Sequence, residues 1–469
     1  MIPTRRRVPP AVWVGFGVLV GLALVALSTS PTVVTVSPAA ESQQVPSRAP
    51  VRIEFSRSMD SDSVKAHISI EPRMGGRFRW SGTTLIFEPE SAWPEGTAVV
   101  VRLAAGALSA RGIPLWKTTQ WSFTIGGPQV VFLSPAGSAA NLQALALNDG
   151  NLSSLTDVGP GVEQYRISDD GTSVVYSIGG EGGEIRRLDL ATLTEARLFS
   201  CPPNSRCTSP TLSPDGTRLA FAQSSLIAGL GGQSVAGPGE IWNVMLGGET
   251  APAAVSPADH AASLPDWTPQ GWLTYYDHTL KAFAVVDPEG TEPEPFLLFP
   301  SEVGEPGSWS PEGRYFVFPD IDFVRQDLAQ GPGEASDLFF SHLYRWPVDS
   351  PTVTDLSLGT LGRVEDASPA YSPDGQWIAF ARKYLEPGRW TIGRQLWLMQ
   401  ADGGDPRQLT HDPVFNHSSL AWNADSDALV YMRFNQSEIN QPPQVWLYDL
   451  IAGQAQQLAL GGYLPQWIP

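Results

Sequence analysis

The chain has 469 residues, including 45 glycines and 42 prolines, and its formal net charge is −18 with 17% charged residues. This length exceeds what one hydrophobic core usually serves, so at least two packed domains are expected. The aromatic content excludes a disordered chain. The net negative charge, without a cluster of Lys and Arg residues, argues against nucleic acid as a partner. Short segments rich in β-branched and aromatic residues recur between Gly, Pro, Asp and Ser clusters, which predicts an all-β fold.

The N-terminus carries a membrane-targeting signal. Arg5, Arg6 and Arg7 precede an uncharged apolar run over 11–27. A run of this length nearly spans a hydrocarbon core as a helix, and basic residues before it stay on the cytoplasmic side. Residues 1–31 are therefore predicted to be a signal anchor of a single-pass protein of the cell membrane, with the bulk of the chain extracytoplasmic. Small residues near Ser28 also allow cleavage, which would give a secreted protein instead.

Residues 32–126 form the first predicted folded region, with some seven short strands separated by Gly, Pro and Asp turns. Phe78 and Trp80 alternate with arginines, and Trp121 with Phe123 repeats this pattern, as in strands buried on one face. A stretch of this size and strand content suits an Ig-like sandwich.

The segments IEFSRSMDSDSV, GRFRW, TLIFEPE and WSFTIG in this region resemble the SbsA-type bacterial Ig-like domain. The resemblance implies a spacer or interaction module without catalysis. Asp60 and Asp62 could belong to a calcium loop, but no further acidic ligands follow in MDSDSV, so a capped turn is favoured.

A repeat fills residues 129–469. Its core is an apolar residue, Ser or Thr, Pro or Asp, a polar residue, Gly and an alternating strand, and six copies begin at Arg166, Thr211, Asp266, Ser308, Ala370 and Ala421. The spacing suits four short strands and variable loops, as in the blades of a β-propeller. Pro, Asp and Gly in SPDG build a tight turn, so Asp215, Glu312 and Asp374 are interpreted as structural residues.

The two ends of this region complete each other. The stretch after Gln129 lacks a first strand, and GGYLPQWIP at the C-terminus supplies one, which predicts seven blades closed by the C-terminal strand. The copy YSPDGQWIAFAR, followed by QLWLMQADGGDPRQLT, resembles the TolB-type (WD40-like) propeller. That class includes partner-binding proteins and accessory domains of peptidases, so the resemblance specifies the fold rather than the function.

The sequence contains few residues that could form a catalytic or metal-binding site. Cys201 and Cys207 lie in the part expected outside the membrane and are predicted to form a disulfide, with a zinc site as the weaker alternative. No nucleophile elbow, phosphate loop or metal-binding histidine motif occurs, and the nearest cluster is His411, Asp412 and His417. We therefore predict no catalytic, cofactor-binding or metal-binding residues and no cofactor.

Insertions between strands are the expected contact sites. They lie around Gly229 to Gly239, over 322–336 and over 385–393, where Tyr384 and Trp390 are candidate contacts or packing residues.

These features favour a non-catalytic extracytoplasmic binding or scaffold protein, whose propeller presents a surface for a protein or glycan and is held off the membrane by the Ig-like domain. The alternative is a propeller hydrolase or lyase acting on polysaccharide, which needs carboxylates or a metal converging on the channel. A purely structural scaffold without a sizeable pocket is a third possibility.

Overall fold

A computed structural model describes residues 30–137, 139–180, 182–228, 234–248, 251–289, 294–321, 340–358 and 363–468. The predicted membrane segment, the glycines at 229, 231 and 232, and the insertion at 322–336 lie outside these ranges. Within the described part of the chain, no helix is both long and apolar enough to cross a membrane. The chain divides into two compact units, 1–127 and 128–469.

In its described residues, the first unit is an antiparallel sandwich of seven strands with one short helix. Its elements are β1 (Val33–Ser37), β2 (Val51–Phe55), α1 (Ser61–His67), β3 (Ile68–Glu71), β4 (Gly76–Ser81), β5 (Thr84–Pro89), β6 (Ala98–Leu103) and β7 (Thr119–Thr124). One sheet has the order β1-β2-β5-β4 and the other β3-β6-β7.

Alternation along the strands builds the core of this sandwich. Val51, Ile53 and Phe55 of β2 are buried, whereas the charged residues between them are partly exposed. Trp121 and Phe123 are buried from the opposite sheet, as the sequence pattern predicts. Asp60 Oδ1 accepts the backbone N–H of Ser63 and so caps α1, which places this acid in a capped first turn.

The second unit contains β8 to β35, which are short strands following one another without a described α-helix. They are β8 (Gln129–Ser134), β9 (Asn141–Ala146), β10 (Leu152–Ser154), β11 (Val162–Ile167), β12 (Ser173–Ile178), β13 (Glu184–Asp189), β14 (Thr194–Ser200), β15 (Ser205–Leu212), β16 (Arg218–Ala228), β17 (Ser234–Met245), β18 (Ala253–Ala254), β19 (Ala262–Trp267), β20 (Leu273–Asp277), β21 (Ala282–Val286), β22 (Leu297–Pro300), β23 (Ser308–Trp309), β24 (Tyr315–Ile321), β25 (Ser341–Pro347), β26 (Thr354–Asp355), β27 (Val364–Tyr371), β28 (Trp377–Tyr384), β29 (Gln395–Gln400), β30 (Arg407–Gln408), β31 (Phe415–Trp422), β32 (Ala428–Asn435), β33 (Gln444–Asp449), β34 (Gln454–Leu460) and β35 (Tyr463–Trp467).

Consecutive strands pair in groups of four. Among the described residues, five sheets have four strands each, namely β10-β9-β8-β35, β11 to β14, β15 to β18, β19 to β22 and β31 to β34. The remaining sheet has eight strands, β23 to β30, whose two halves join through one parallel bridge between Ser341 and Glu365. The repeat in the sequence therefore corresponds to a repeated four-strand unit.

Side chains hold the turn between the first and second strands in the copies that read SPDG. Asp215 Oδ1 accepts hydrogen bonds from the Ser213 hydroxyl and from the backbone N–H of Thr217. Asp374 accepts the equivalent bonds in its own copy. Gly216 has a φ of +70°, a conformation that costs other residues free energy. The acids of this motif thus stabilise the turn.

The C-terminal strand completes the first group. Strand β35 pairs antiparallel with β8, so the last residues of the chain lie beside the first strand of the domain. The Tyr165 hydroxyl, from β11, lies 2.8 Å from the carbonyl oxygen of Val131 and within hydrogen-bonding distance of that of Leu464. Gln466 accepts from Ile167 N at 3.0 Å and donates to Tyr165 O at 3.2 Å. These contacts attach β35 to the next group.

Candidate functional site on the loop face

One end of the strand groups carries the connections that hold most of the candidate residues. In an antiparallel group of four, the loop between the second and third strands and the loop leading to the next group lie at the same end. We call this end the loop face, and its described parts include 135–137, 139–140, 179–180, 182–183, 301–307, 385–394, 411–414 and 436–443.

Three of these loops are hydrogen-bonded to one another. Gly393 N donates to Pro413 O at 3.0 Å, and Gln436 N donates to Val414 O at 2.9 Å. Each loop exposes one large apolar side chain: Trp390 is 55% exposed, Val414 37% and Ile439 86%. Because exposed apolar groups on connected loops mark interaction surfaces, this region is the first candidate for partner binding.

The two aromatic residues singled out in the sequence have different roles. Tyr384 is buried and packs edge-on against Trp397 with ring centroids 5.8 Å apart. The guanidinium of Arg389 lies over its ring, 3.2 Å from the centroid. Tyr384 is therefore a packing residue, whereas Trp390 remains available to solvent.

A cluster of charged side chains lies beside these loops. Glu365 forms ion pairs with Lys383 at 3.0 Å and with Arg394 at 3.2 Å. Burial raises the pKa of Glu305, while Arg394 lowers it and Glu365 raises it. Two carboxyl groups thus lie near the same cation, Arg394, and burial pushes Glu305 towards its neutral form.

His417 and Asp412, which lie in and next to these loops, hold the local structure through a hydrogen bond and an ion pair. His417 is fully buried, and its Nδ1 lies 2.8 Å from the carbonyl oxygen of Arg394. Burial lowers the pKa of His417 to about 4, so its imidazole is neutral at neutral pH and Nδ1–H donates. Asp412 Oδ2 lies 2.6 Å from Nη1 of Arg433. The cluster seen in the sequence is therefore split between a buried structural histidine and an ion pair of the half-exposed Asp412 with the buried Arg433.

A cavity of about 480 Å³ opens elsewhere on the loop face. The residues that line it are Ala139, Ala140, Pro160, Gly161, Val162, Glu163, Gly179, Gly180, Arg206 and Leu226. Glu163 and Arg206 form an ion pair at its wall. They come from the first strands of two successive groups, β11 and β15, so the wall is built by neighbouring repeats.

The cysteines lie next to this cavity. Cys201 and Cys207 are joined by a disulfide, and both are buried. The bond links the end of β14 to β15, which carries Arg206, so it fastens the connection between two groups.

The histidines do not gather into a metal site in the part of the chain described by the structure. Over those ranges, no three His, Cys, Asp or Glu side chains are grouped so that they could hold a metal ion. Two histidines instead pair singly with carboxylates: His260 with Asp277 at 2.6 Å and His342 with Asp355 at 2.9 Å.

Sequence reasoning missed the charged residues of the loop face. Glu163, Arg206, Glu305, Glu365 and Arg394 all lie outside the recognised motif. Four of them lie at or just before the start of a first strand, ahead of the motif, and aligning the repeats would have shown that charged residues recur there.

Comparison with known proteins supports the division into two domains. Residues 28–125 match the bacterial Ig-like domain family. An uncharacterized protein of Agrobacterium fabrum is 26% identical over 284 residues, covering 55% of this chain and 80% of that protein.

Solved structures resemble the chain at the level of the fold. TolB from Acinetobacter baumannii matches 86% of this chain and 83% of its own, with 14% identity and a TM-score of 0.41. The S511A variant of a puromycin hydrolase, solved with PGG, matches 71% of this chain but only 52% of its own, with 15% identity and a TM-score of 0.50. The chain is an all-β protein whose residues 28–125 match the bacterial Ig-like domain family, and whose second unit has the repeated four-stranded sheets of a β-propeller.

Proposed function

We propose that the chain is a non-catalytic extracytoplasmic binding protein, whose propeller presents its loop face to a protein or glycan partner. In this proposal the eight-stranded sheet is two blades, so the ring has seven, and the Ig-like domain is a spacer next to a membrane anchor. The single parallel bridge between Ser341 and Glu365 supports the division of that sheet. The basic residues before the apolar run at 11–27 support the anchor.

The observation that carries the binding function is the set of Trp390, Val414 and Ile439. These side chains belong to neighbouring loops, because the backbone of the 411–414 loop is hydrogen-bonded to each of the other two loops. Trp is enriched at interfaces because its burial releases a large apolar area. A charged border, which includes Arg394 and Glu365, would supply the polar rim of such an interface.

Photo-crosslinking tests this function. A benzoylphenylalanine placed at Trp390 should give a discrete crosslinked product in intact cells, and Ile439→Asp on the adjacent loop should abolish that product. The same label at Leu152, which is 60% exposed on β10, is the matched control. Equal products from both positions, or a product that survives Ile439→Asp, would contradict a specific site on these loops.

A second candidate function is hydrolysis or cleavage of polysaccharide, and the carboxyl pair Glu305 and Glu365 favours it. Glycosidases use two neighbouring carboxyl groups, one of them with a raised pKa, for acid and base roles, and burial raises the pKa of Glu305. Glu305 would donate the proton and Glu365 would act as the base. If a panel of envelope polysaccharides is cleaved, Glu305→Gln should abolish the cleavage, whereas Glu386→Gln on the neighbouring loop should not.

A further inference from the structure

The cavity beside Glu163 and Arg206 has the size and chemistry of a ligand pocket. Its volume of about 480 Å³ lies within the range of small-molecule sites, about 300–1,000 Å³. Three groups of strands contribute to it through Ala140, Glu163 and Arg206, so it is built by the repeat and not by one loop.

The polar wall of the pocket offers both a donor and an acceptor. One carboxylate oxygen of Glu163 pairs with Arg206. The other, Oε2, is buried and has no hydrogen-bond partner among the residues that the structure describes. A buried carboxylate oxygen without a donor costs free energy, and rotation of the Glu163 side chain towards the cavity would let a ligand hydroxyl or N–H donate to it.

The rest of the lining leaves room for a ligand ring. A Cβ built on Gly179 would meet its nearest neighbour, Pro160 O, only at 3.7 Å, and one on Gly180 would meet nothing within 4 Å. Pro160, Val162 and Leu226 add apolar surface. Small residues therefore keep the space open above an apolar floor and a charged wall.

The charges of the wall select the class of ligand. Glu163 disfavours an anion, and Arg206 disfavours a cation, because each would approach a like charge. A hydroxyl group suits both, since it donates to the carboxylate and accepts from the guanidinium. We propose that this pocket binds a neutral, hydroxyl-rich ligand, namely a sugar residue of a glycan. The proposal rests on the binding function of the loop face and names its ligand class.

The disulfide contributes to this pocket by holding Arg206. Arg206 lies inside the loop closed by Cys201 and Cys207. Asn204 O of the same loop accepts the backbone N–H of Leu226 at 2.7 Å, which ties the lining residue Leu226 to the loop that carries Arg206. The guanidinium is thus presented by a covalently closed segment, which reduces the entropy lost when a ligand orders it.

Calorimetry and saturation-transfer NMR on the full chain test the proposal. The probes are glucose, galactose, rhamnose and N-acetylglucosamine, with acetate and glycine methyl ester as charged comparisons. At least one sugar should bind saturably. Gly179→Phe, which fills the pocket, should abolish this binding, and Glu163→Gln should weaken it about tenfold or more because a charged hydrogen bond is lost. Gly159→Phe, where a Cβ meets nothing within 4 Å, is the matched control outside the lining.

Three results would overturn the inference: no sugar binds, sugar binding survives Gly179→Phe in the folded variant, or a charged probe binds more tightly than every sugar. If Gly179→Phe does not fold, Glu163→Gln decides the question alone. Failure here is distinguishable from failure of the proposed function, because crosslinking from Trp390 reports on other loops. If Trp390 gives a crosslink and no sugar binds, only the sugar-binding proposal for the pocket is contradicted. If a sugar binds and Trp390 gives no crosslink, only the proposed partner surface at Trp390 is contradicted.

Discussion

The buried imidazole of His417 lies with Nδ1 2.8 Å from the carbonyl oxygen of Arg394, and the backbone N–H of His417 donates to the same oxygen at 3.0 Å. Arg394 in turn pairs with Glu365 in the charged cluster of the loop face. His417, which is neutral and lies in one strand group, therefore holds the backbone of Arg394, whose guanidinium lies in the preceding group.

This arrangement makes the stability of the propeller depend on pH. The pKa of His417 is about 4 in the folded chain and about 6.5 in the unfolded chain, so the unfolded state binds more protons between these values. The contribution of neutral His417 to the unfolding free energy should be fully present above about pH 6.5. It should fall by up to about 3 kcal/mol as the pH drops towards 4. The difference in unfolding free energy between the natural chain and His417→Asn should shrink over this window. His411→Asn, from the adjacent loop, is the control, and a constant difference for His417→Asn would contradict the argument.

A second prediction concerns the ion pair between Asp366 and Arg382. The pair is bidentate, with both N–O distances 2.6 Å, and both side chains are fully buried. Arg382→Met alone should destabilise the domain by about 3–5 kcal/mol, because it leaves an uncompensated buried carboxylate. The double variant Asp366→Leu with Arg382→Met should recover much of that loss. Urea denaturation measures both, and a double variant as unstable as the single one would show that packing, not charge, dominates.

The sequence predicts those parts of the fold that depend on local chemistry. The SPDG turn, the alternation around Trp121 and the return of the C-terminal strand all follow from short-range patterns. The pairing of Arg394 with Glu365 does not, because it depends on where the loop that ends at Arg394 meets the start of β27. The same is true of Glu163 and Arg206, which are brought together only by the stacking of successive groups.

A regular pattern of prolines in the sequence corresponds to a bulge in the first strand of several groups. Ser209, Leu264, Ser368 and Leu464 all have a positive φ of 50–56° at a bulge in the first strand, and each is followed by proline. A second proline recurs four residues later in each copy. The paired prolines therefore mark the bulge. The bulge bends the strand, and the side chains beyond it point to the opposite face of the sheet.

Glycine substitutions at two nearby residues of the bulged strand should have different effects on the unfolding free energy. Ser368 has a φ of +52°, a conformation that glycine adopts without steric cost. Ser368→Gly should be neutral or stabilise by up to about 1 kcal/mol, whereas Ala370→Gly, in the same strand but outside that conformation, should destabilise by about 0.5–1 kcal/mol. Thermal unfolding of both variants provides the measurement. Equal destabilisation by the two substitutions would show that no strain is relieved at Ser368.

The C-terminal strand should be essential for closing the propeller. Deleting residues 463–469 removes β35, exposes the edge of β8 and leaves Ile167 N and Tyr165 O without the side chain of Gln466. Open strand edges pair with other chains, so the truncated protein should bind ANS and aggregate. Gln466→Ala keeps the strand and should cost only about 1–3 kcal/mol through the lost hydrogen bonds. A truncated chain that stays monomeric with the natural unfolding midpoint would refute closure by β35.

The disulfide should contribute to stability and to the pocket separately. Replacing Cys201 and Cys207 with serine opens a short loop and should lower the unfolding free energy by about 2 kcal/mol through the unfolded state. Because Arg206 lies inside that loop, sugar binding should weaken as well, while crosslinking from Trp390 should not change. Chemical denaturation and calorimetry on the same double variant measure the two effects. Sugar affinity that stays constant while stability falls would mean that Arg206 is positioned by Glu163 and its strand, and not by the disulfide.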